Sequence, residues 1–556
     1  MSQPMLRGTS FDTVFVGGSV WSAGLATSHR GAVAVSGGRI AAIGDDDELL
    51  ALRGPSTEVV DLAGGLLLPG FQDAHTHPVM AGVDMLRCDV HHCASADEAL
   101  ETIRRYAEAH PDLPWILGGG WSMSHYPNGT PTRQMLDAVV PDRPAYFPNR
   151  DGHGAWVNSR ALEVAGLSAS TPDPSDGRLE READGYPAGT LHEGAAHLVD
   201  HLLPPITQDH QLAGLKVAQQ HLFSLGVTSW QDAAVGAMFG QDDILPVYLQ
   251  AAQSGDLVAR VVGSLWWDRN RSSDQIPELV ERRGAGGTGR FRPTTVKMML
   301  DGVAENYTAA MLEPYEDGCG CRTENSGLDF VDHQGLLEYV PRLDELGFQV
   351  HFHALGDRAV RHALDAVEAA RAANGADGGG HHLAHLQVVQ PDDVPRFARV
   401  GATANIQSLW AAHEEQMDEL TIPFLGERRA AWQYPFGDLL RTGAALAAGS
   451  DWPVSSADPL DAIHVAVNRI YPGADEGTEP LYAEQALPLA VALAAYTAGS
   501  ARVNGQADTT GRLEPGMYAD LAVLDRDPFA GPSDDIASAT VVATFVEGER
   551  VFTRGS

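Results

Sequence analysis

The chain has 556 residues, of which 44% are hydrophobic and 20% charged, so it is long enough for a large globular domain with smaller additions and too apolar for global disorder. Its formal net charge of −36 disfavours nucleic acid and anionic membranes as partners, because both are bound through basic surfaces. The four cysteines match no zinc-ribbon spacing and are interpreted as free thiols (Cys88, Cys93, Cys319 and Cys321).

The N-terminal residues Met1 to Gly8 show no charged segment followed by an apolar one, as a secretory leader would. The longest apolar run, 486–496, is too short to span a membrane and contains Pro488. We therefore expect a cytoplasmic protein without a membrane partner. Among its 38 basic residues, only Lys216 and Lys297 are lysines. We therefore ask whether each position requires a property that arginine lacks.

Both ends of the chain are rich in β-branched residues broken by paired glycines, a pattern typical of hairpins. We predict that residues 1–65 and residues 506–556 form one small β-sandwich domain together. The middle of the chain, 66–505, alternates short apolar strands with helical patterns, which indicates an α/β fold with a parallel sheet.

Eight strands are predicted in this middle part, and eight is the number that closes a (β/α)8 barrel of the TIM type. They are predicted over 66–71, 227–231, 258–265, 294–300, 348–352, 382–386, 402–406 and 444–448.

The eight-strand count requires a long insertion after the first strand, over residues 80–225. This segment is rich in Pro, Gly and Asp, although two pieces of it, 115–117 and 145–147, also resemble strands. Because long insertions after barrel strands often build pocket walls, we predict that it forms a lid over the mouth of the barrel.

At the end of the first predicted strand stands Gly70-Phe-Gln-Asp-Ala-His75-Thr-His77-Pro78. Residues two apart on an extended strand point to the same side, so His75 and His77 could converge on one metal ion. The spacing alone is a weak signal, since a second pair occurs at His351 and His353. Its placement at the carboxyl end of an apolar strand, where barrel enzymes keep their sites, strengthens the prediction.

Lys297 lies inside the apolar run Thr-Val-Lys-Met-Met-Leu, where an unpaired ammonium is costly to bury. A lysine suits this position if its amine must lose a proton and react, for example with carbon dioxide to give a carbamate that bridges two metals. A lysine at a strand edge that reaches solvent is the alternative. Lys216 lies in a helical pattern and is interpreted as a surface residue.

Three further polar residues follow later strands: His353 the fifth, His385 the sixth and Asp451 the eighth. Singly, each is more often a hydrogen-bonded structural residue than a ligand. Together with His75, His77 and Lys297 at the same end of successive strands, they indicate a metal site. His351 remains an alternative to His353, because both side chains face the same way.

These motifs resemble the amidohydrolase superfamily and its YtcJ-like branch, amidohydrolase family 3, which includes N-substituted formamide deformylase. The similar segments run in order along almost the whole chain, from 66–77 through Asp151-Gly-His153, Gly189-Thr-Leu-His-Glu193, the segment 297–302, His353-Ala-Leu-Gly-Asp357 and Gly449-Ser-Asp451-Trp-Pro to 511–521.

The resemblance implies that the first-strand histidines bind one metal, that the lysine is often carboxylated, and that the fifth- and sixth-strand histidines bind a second metal. The aspartate after the eighth strand would be both ligand and proton shuttle. The implied ligand set is His75, His77, Lys297, His353, His385 and Asp451. Carboxylation of Lys297 stays open, because branches of the superfamily differ in metal number. Glu193 is an alternative acidic ligand or part of the pocket wall.

The predicted function is that of a metal-dependent hydrolase of non-peptide carbon–nitrogen bonds, with one or two divalent ions, most simply zinc. Metal-activated hydroxide would attack the carbonyl while Asp451 moves the proton to the leaving nitrogen. The predicted substrate is a small amide with an apolar or aromatic group. Its candidate contacts are His153, Glu193, Trp121 and Trp452.

The alternatives are another reaction of the superfamily (deamination, lactone hydrolysis or cyclic-amide opening) or a barrel kept as a non-catalytic binding scaffold. The scaffold alternative is disfavoured because all six ligand positions are filled. Assembly into a homo-oligomer is left open by the sequence.

Overall fold

The computed structural model describes residues 11–237, 242–286, 289–375, 379–475 and 477–555. Met1 to Gly8, over which the sequence predicts no leader, lie outside these ranges. Within them, no helix combines the length and the apolar composition that crossing a membrane requires.

The centre of the molecule is a sheet of eight strands in which every neighbouring pair is parallel, in the order in which the strands follow along the chain. This confirms the predicted TIM-type barrel. The eight strands are Phe71–Thr76, Val227–Val235, Arg260–Trp266, Phe291–Met299, Gln349–Ala354, His382–His385, Thr403–Ile406 and Ala445–Ala448.

The bounds predicted for the first barrel strand, 66–71, are wrong, whereas the other seven strands begin and end within a few residues of the prediction. The strand Leu66–Pro69 pairs with Leu521–Leu524 in the sheet of the chain ends. At Gly70 the chain changes partners, because the Gly70 N–H donates to Asp520 and the next N–H donates to Gly226. A Cβ at Gly70 would lie 2.5 Å from the Thr228 side chain, so the crossing requires glycine.

The barrel strands alternate with α-helices that cover its outside. Helices begin where the sequence offers a cap: the Thr207 hydroxyl accepts from the N–H of His210, and the Asp332 carboxylate accepts from those of Gln334 and Gly335. The α-helices between or after barrel strands are Pro78–Met85, Gln208–Ser224, Leu245–Ser254, Ile276–Ala285, His333–Glu345, Asp357–Asn374, Val394–Val400, Ile422–Leu425, Glu427–Ala430, Phe436–Arg441, Pro459–Asn468, Leu489–Ala494 and Ser500–Val503.

Strands from both ends of the chain form one hydrogen-bonded sheet beside the barrel, as the sequence predicts. Its apolar side chains pack together, with the Phe15 ring edge-on to Phe545 at 5.0 Å. The short helix Asp46–Leu50 lies between its strands, which are Thr13–Val20, His29–Ser36, Arg39–Gly44, Glu58–Asp61, Leu66–Pro69, Leu521–Leu524, Val541–Val546 and Glu549–Thr553.

The segment between the first barrel strand and the helix Gln208–Ser224 contains a six-stranded sheet of its own. The strand-like pieces 115–117 and 145–147 belong to this sheet and not to the barrel. Its strands are Cys88–Asp89, Ile116–Gly119, Ala145–Pro148, Gly154–Val157, Gly177–Arg181 and Pro187–Glu193, and its helices are Ala96–Ala109, Arg133–Asp137, Ser159–Val164 and His197–Asp200. It buries separate apolar clusters, so it packs as a unit against the barrel.

Candidate active site

The first-strand histidines and Asp451 lie within contact of one another. Oδ1 of Asp451 is 3.1 Å from Nε2 of His75 and 3.1 Å from Nε2 of His77. Burial alone would raise the pKa of Asp451, but the two histidines hold it well below its usual range. The ligand atoms of all three residues lie within 4.8 Å of one another, close enough to share one metal ion.

The six residues predicted as metal ligands line one cavity of about 130 Å³ (His75, His77, Lys297, His353, His385 and Asp451). Several of their buried ring nitrogens have no hydrogen-bond partner among the described residues: Nε2 of His353 and both ring nitrogens of His385. Buried polar atoms are rarely left unpaired, and imidazole nitrogens with carboxylate oxygens are ligands that zinc takes. The donor set therefore fits a divalent metal.

Lys297 lies in the fourth barrel strand with 3% of its surface exposed. Its Nζ is 3.4 Å from Nε2 of His75, and no carboxylate of the described residues forms an ion pair with it. Burial lowers the pKa of this amine to about 7. Lys297 is thus a buried amine that is neutral in a substantial fraction of molecules at neutral pH, and it faces the cavity rather than solvent.

His353 and His351, the two alternatives in the fifth strand, occupy different depths of the barrel. His353 lines the cavity, and its ring is 4.4 Å from the ring of His385. His351 lies below, with Nε2 2.9 Å from Nδ1 of His75 and Nδ1 3.3 Å from the Ser264 hydroxyl. The structure therefore places His353 among the candidate ligands and His351 behind His75, where it orients that ring.

The insertion supplies His153 and Glu193 to the lining of the same cavity. Nδ1 of His153 is 2.9 Å from Oε2 of Glu193, and the Thr308 hydroxyl donates to Oε1 at 2.6 Å. Burial alone would lower the pKa of His153, but the Glu193 carboxylate outweighs it and raises the pKa to about 9. Both Glu193 oxygens have partners, and the residue lines the wall of the cavity.

Two of the four predicted substrate contacts do not line the cavity. Trp121 is 2% exposed and packs in the core of the insertion between Tyr126 and Trp156, with its indole N–H donating to the Phe147 carbonyl. The Trp452 side chain lies against His221, and its carbonyl accepts from the N–H of His77. The sequence pattern marked both residues as near the site, but their apolar rings are used for packing.

The sequence analysis gave no role to Asp73, although it stands inside the motif that contains His75. Its carboxylate accepts from the N–H of His75 at 2.9 Å and from the hydroxyl of Ser450 at 2.6 Å. Asp73 thereby ties the first strand to the loop that carries Asp451. Its place two residues before His75, in a buried strand, was the available signal.

Asp301 was quoted in a motif but likewise assigned no role. Its buried carboxylate accepts from the backbone N–H groups of Ala310, Leu355 and Gly356. These bonds join the end of the fourth strand to the end of the fifth, next to His353.

The chain matches the model of the amidohydrolase family (Amidohydro_3) over residues 58–552. It is 29% identical over 529 residues to the putative amidohydrolase YtcJ of Bacillus subtilis, covering 94% of this chain and 96% of the relative. It is 28% identical over 557 residues to N-substituted formamide deformylase of Arthrobacter pascens, covering 97% of each.

Among solved structures, an uncharacterized metal-dependent hydrolase from Pyrococcus horikoshii superposes with a TM-score of 0.70 and 26% identity. The superposition covers 94% of this chain and 99% of the archaeal one. The likeness therefore includes the terminal sheet and the insertion as well as the barrel.

Proposed function

The chain belongs to the amidohydrolase family and is a metal-dependent hydrolase. We propose that it hydrolyses a carbon–nitrogen bond of an amide outside the peptide backbone. One observation carries the proposal. Unpaired imidazole nitrogens and the Asp451 carboxylate face the same cavity as the His153–Glu193 pair. A carbonyl compound bound there would have both candidate metal ligands and a hydrogen-bond donor among its neighbours.

We propose that the site holds one or two divalent ions, with zinc as the first candidate. The residues that would hold them are His75, His77, Lys297, His353, His385 and Asp451. When bound, such an ion acidifies water and polarises a carbonyl oxygen. The low pKa of Lys297 supports a neutral Nζ that adds to carbon dioxide with release of a proton. The product carbamate carries a negative charge and two oxygens, which suits a position among histidines better than an ammonium does.

Asp451 is proposed as the proton shuttle. Its Oδ1 contacts two histidines, while Oδ2 lies 3.8 Å from Nδ1 of His385, so the carboxylate is held in place from two sides. It would take a proton from the attacking water and give it to the leaving nitrogen as the tetrahedral intermediate collapses. Loss of that proton transfer would slow the reaction without removing the other ligands.

His153 is proposed to bind the carbonyl oxygen of the substrate. Its Nδ1 is engaged by Glu193, and its ring centre lies 5.6 Å from that of His353. With a pKa of about 9, the ring is protonated at neutral pH and can donate from Nε2. A fixed donor aimed at an oxygen that gains negative charge stabilises the transition state.

Apolar side chains complete the cavity, among them Met80, Tyr146, Trp266 and Met299. They support a small substrate whose amide bears an apolar or aromatic group, and the name of the Arthrobacter relative makes N-substituted formamides the first compounds to test. A cytoplasmic location stays a prediction.

The test is release of free amine from a panel of N-substituted formamides and acetamides by zinc-loaded protein. The same panel contains a lactone, a cyclic amide and an aminopurine, which represent the alternative reactions. Asp451→Asn protein with matched metal content is the control. Turnover of the lactone or the aminopurine alone would contradict the amide proposal, and metal-loaded protein inert to every compound would favour a binding scaffold.

A further inference from the structure

A second cavity of about 470 Å³ adjoins the candidate metal site. Asp151 and Val454 line both cavities. Trp410, which lines the second cavity, stacks on the His385 ring with centres 5.3 Å apart and planes 7° apart. The two cavities therefore share part of their walls, and a molecule that spans both would pass Asp151 and Val454.

The wall of this second cavity is strongly acidic. Five carboxylate residues line it. Arg150 also lines it, and its guanidinium donates to the carbonyl of His91. Burial lowers the pKa of His221, another lining residue, so this histidine is neutral at neutral pH. The five acidic residues are Asp151, Glu305, Glu414, Asp458 and Asp461.

Tyr434 supplies an unpartnered hydroxyl to the same wall. The residue is 2% exposed, and among the described residues no hydrogen bond involves its phenol oxygen. Burial raises the pKa of Tyr434 well above its usual value, and the nearby Glu305 and Glu414 carboxylates raise it further. All three residues line the same cavity. A buried hydroxyl without a partner is a site where a ligand group is expected.

Neither glutamate forms an ion pair with another of the residues that the structure describes. Oε1 of Glu305 accepts from the Thr421 hydroxyl at 2.7 Å, and no other side chain of the described residues bonds to it. The Glu414 side chain has no hydrogen bond in the described part of the chain and faces the cavity. Although Glu414 is an exposed residue, the protein atoms around its carboxylate raise its pKa to about 7; the Arg150 guanidinium opposes this rise, and Glu305 adds to it by like-charge repulsion.

We propose that the second cavity binds an organic ammonium group carried by the substrate, through Glu305, Glu414 and Tyr434. This inference rests on the proposed amide hydrolysis, because it assigns the cationic group to the end of the molecule remote from the scissile bond. Carboxylates and a phenol oxygen accept hydrogen bonds from an ammonium, and Trp410 and Tyr471 offer aromatic faces to its methylene chain. The net charge of −36 also favours cationic substrates.

Binding is tested first with hexylammonium and with hexan-1-ol, a neutral molecule of similar length, by calorimetry on zinc-loaded protein at pH 7. Hexylammonium should bind at least about tenfold more tightly than the alcohol, since hydrogen bonds between charged partners are the stronger ones. Glu305→Gln and Glu414→Gln should each weaken it by about tenfold and leave hexan-1-ol unchanged. Tyr434→Phe should weaken it by a few fold.

Glu415→Gln is the matched control, because Glu415 is the next acidic residue along the chain and does not line the cavity. It should bind hexylammonium as the wild-type protein does. Equal affinity for amine and alcohol, or amine binding that survives both glutamate changes, would overturn the proposal. The second result would indicate that the amine binds the metal instead.

Hydrolysis gives the second measurement. Mono-N-formyl diamines with three to six methylenes are compared with the matched formamido alcohols, and kcat/KM should favour the diamine in wild-type protein but not in Glu305→Gln or Glu414→Gln. Cleavage of both series without preference would refute the ammonium site and leave amide hydrolysis standing. Glutamate-dependent amine binding without cleavage of either series would refute the hydrolysis and leave the site standing.

Discussion

The backbone N–H of Asp451 donates to the carbonyl oxygen of His75 at 2.7 Å, and the N–H of His77 donates to the carbonyl of Trp452 at 2.8 Å. These two bonds join the loop after the last barrel strand to the end of the first. They bring the Asp451 carboxylate to the histidine pair although Asp451 and His75 are 376 positions apart in the sequence numbering. Closure of the barrel therefore assembles the candidate metal site.

Replacement of the proposed proton shuttle should separate metal binding from turnover. Asp451→Asn keeps the shape of the side chain but cannot take up the proton, so we expect kcat to fall by about 10²- to 10⁴-fold. The variant should keep at least one metal ion, and its circular dichroism spectrum should stay near that of the wild-type protein. Near-normal kcat in this variant would remove Asp451 from the mechanism.

The Lys297 side chain is predicted to work as a carbamate rather than as a cation. Lys297→Arg should then be as inactive as Lys297→Ala, because guanidinium cannot be carboxylated. Short carboxylic acids should restore part of the activity of Lys297→Ala, since they fill the vacated space, and should not help Lys297→Arg.

Mass spectrometry and electron density provide a direct check on Lys297. A carboxylated side chain extends beyond Nζ by a planar three-atom group. Unmodified lysine in fully active, metal-loaded protein would contradict the carbamate and leave lysine as a neutral buried amine.

Asp73 is predicted to position His75 and Ser450 without touching the substrate. Asp73→Ala leaves the N–H of Ser450 and that of His75 without their acceptor, which should cost about 1–3 kcal/mol of stability. Metal affinity should fall by about 10- to 100-fold, as for other residues that orient ligands. Zinc titration measures this; unchanged zinc affinity would make Asp73 merely structural.

The His153–Glu193 pair should give a pH-dependent contribution to stability. The pKa of His153 is raised from 6.5 to about 9, so its stabilisation is fully present below pH 6.5 and is lost as the pH rises through 9. In metal-free protein, Glu193→Gln should lower the melting temperature at pH 7, and the difference from wild type should shrink between pH 7 and pH 10. A difference independent of pH over this range would show that the histidine is not charged in the folded protein.

Much of this architecture follows from local sequence. Runs of β-branched residues at the two ends and eight apolar runs in the middle predicted the terminal sheet and the barrel, because the side-chain period of a strand is set by its own backbone. The candidate ligands were found because each stands at or just after a predicted strand, and parallel strands place their carboxyl ends together.

Tertiary structure decided what periodicity does not encode. The two-residue period of a strand shows which face a side chain lies on, but not how deep in the barrel it lies. His351 and His353 share a face, and only the hydrogen bond between His351 and His75 distinguishes them. The packing partners of Trp121 are evident only in the folded insertion. The pairing of Leu66–Pro69 with a strand from the opposite end of the chain is likewise a tertiary contact. The acidic second cavity likewise exists only where Glu305, Glu414 and Tyr434 meet, because contacts between distant residues depend on how the chain closes in space.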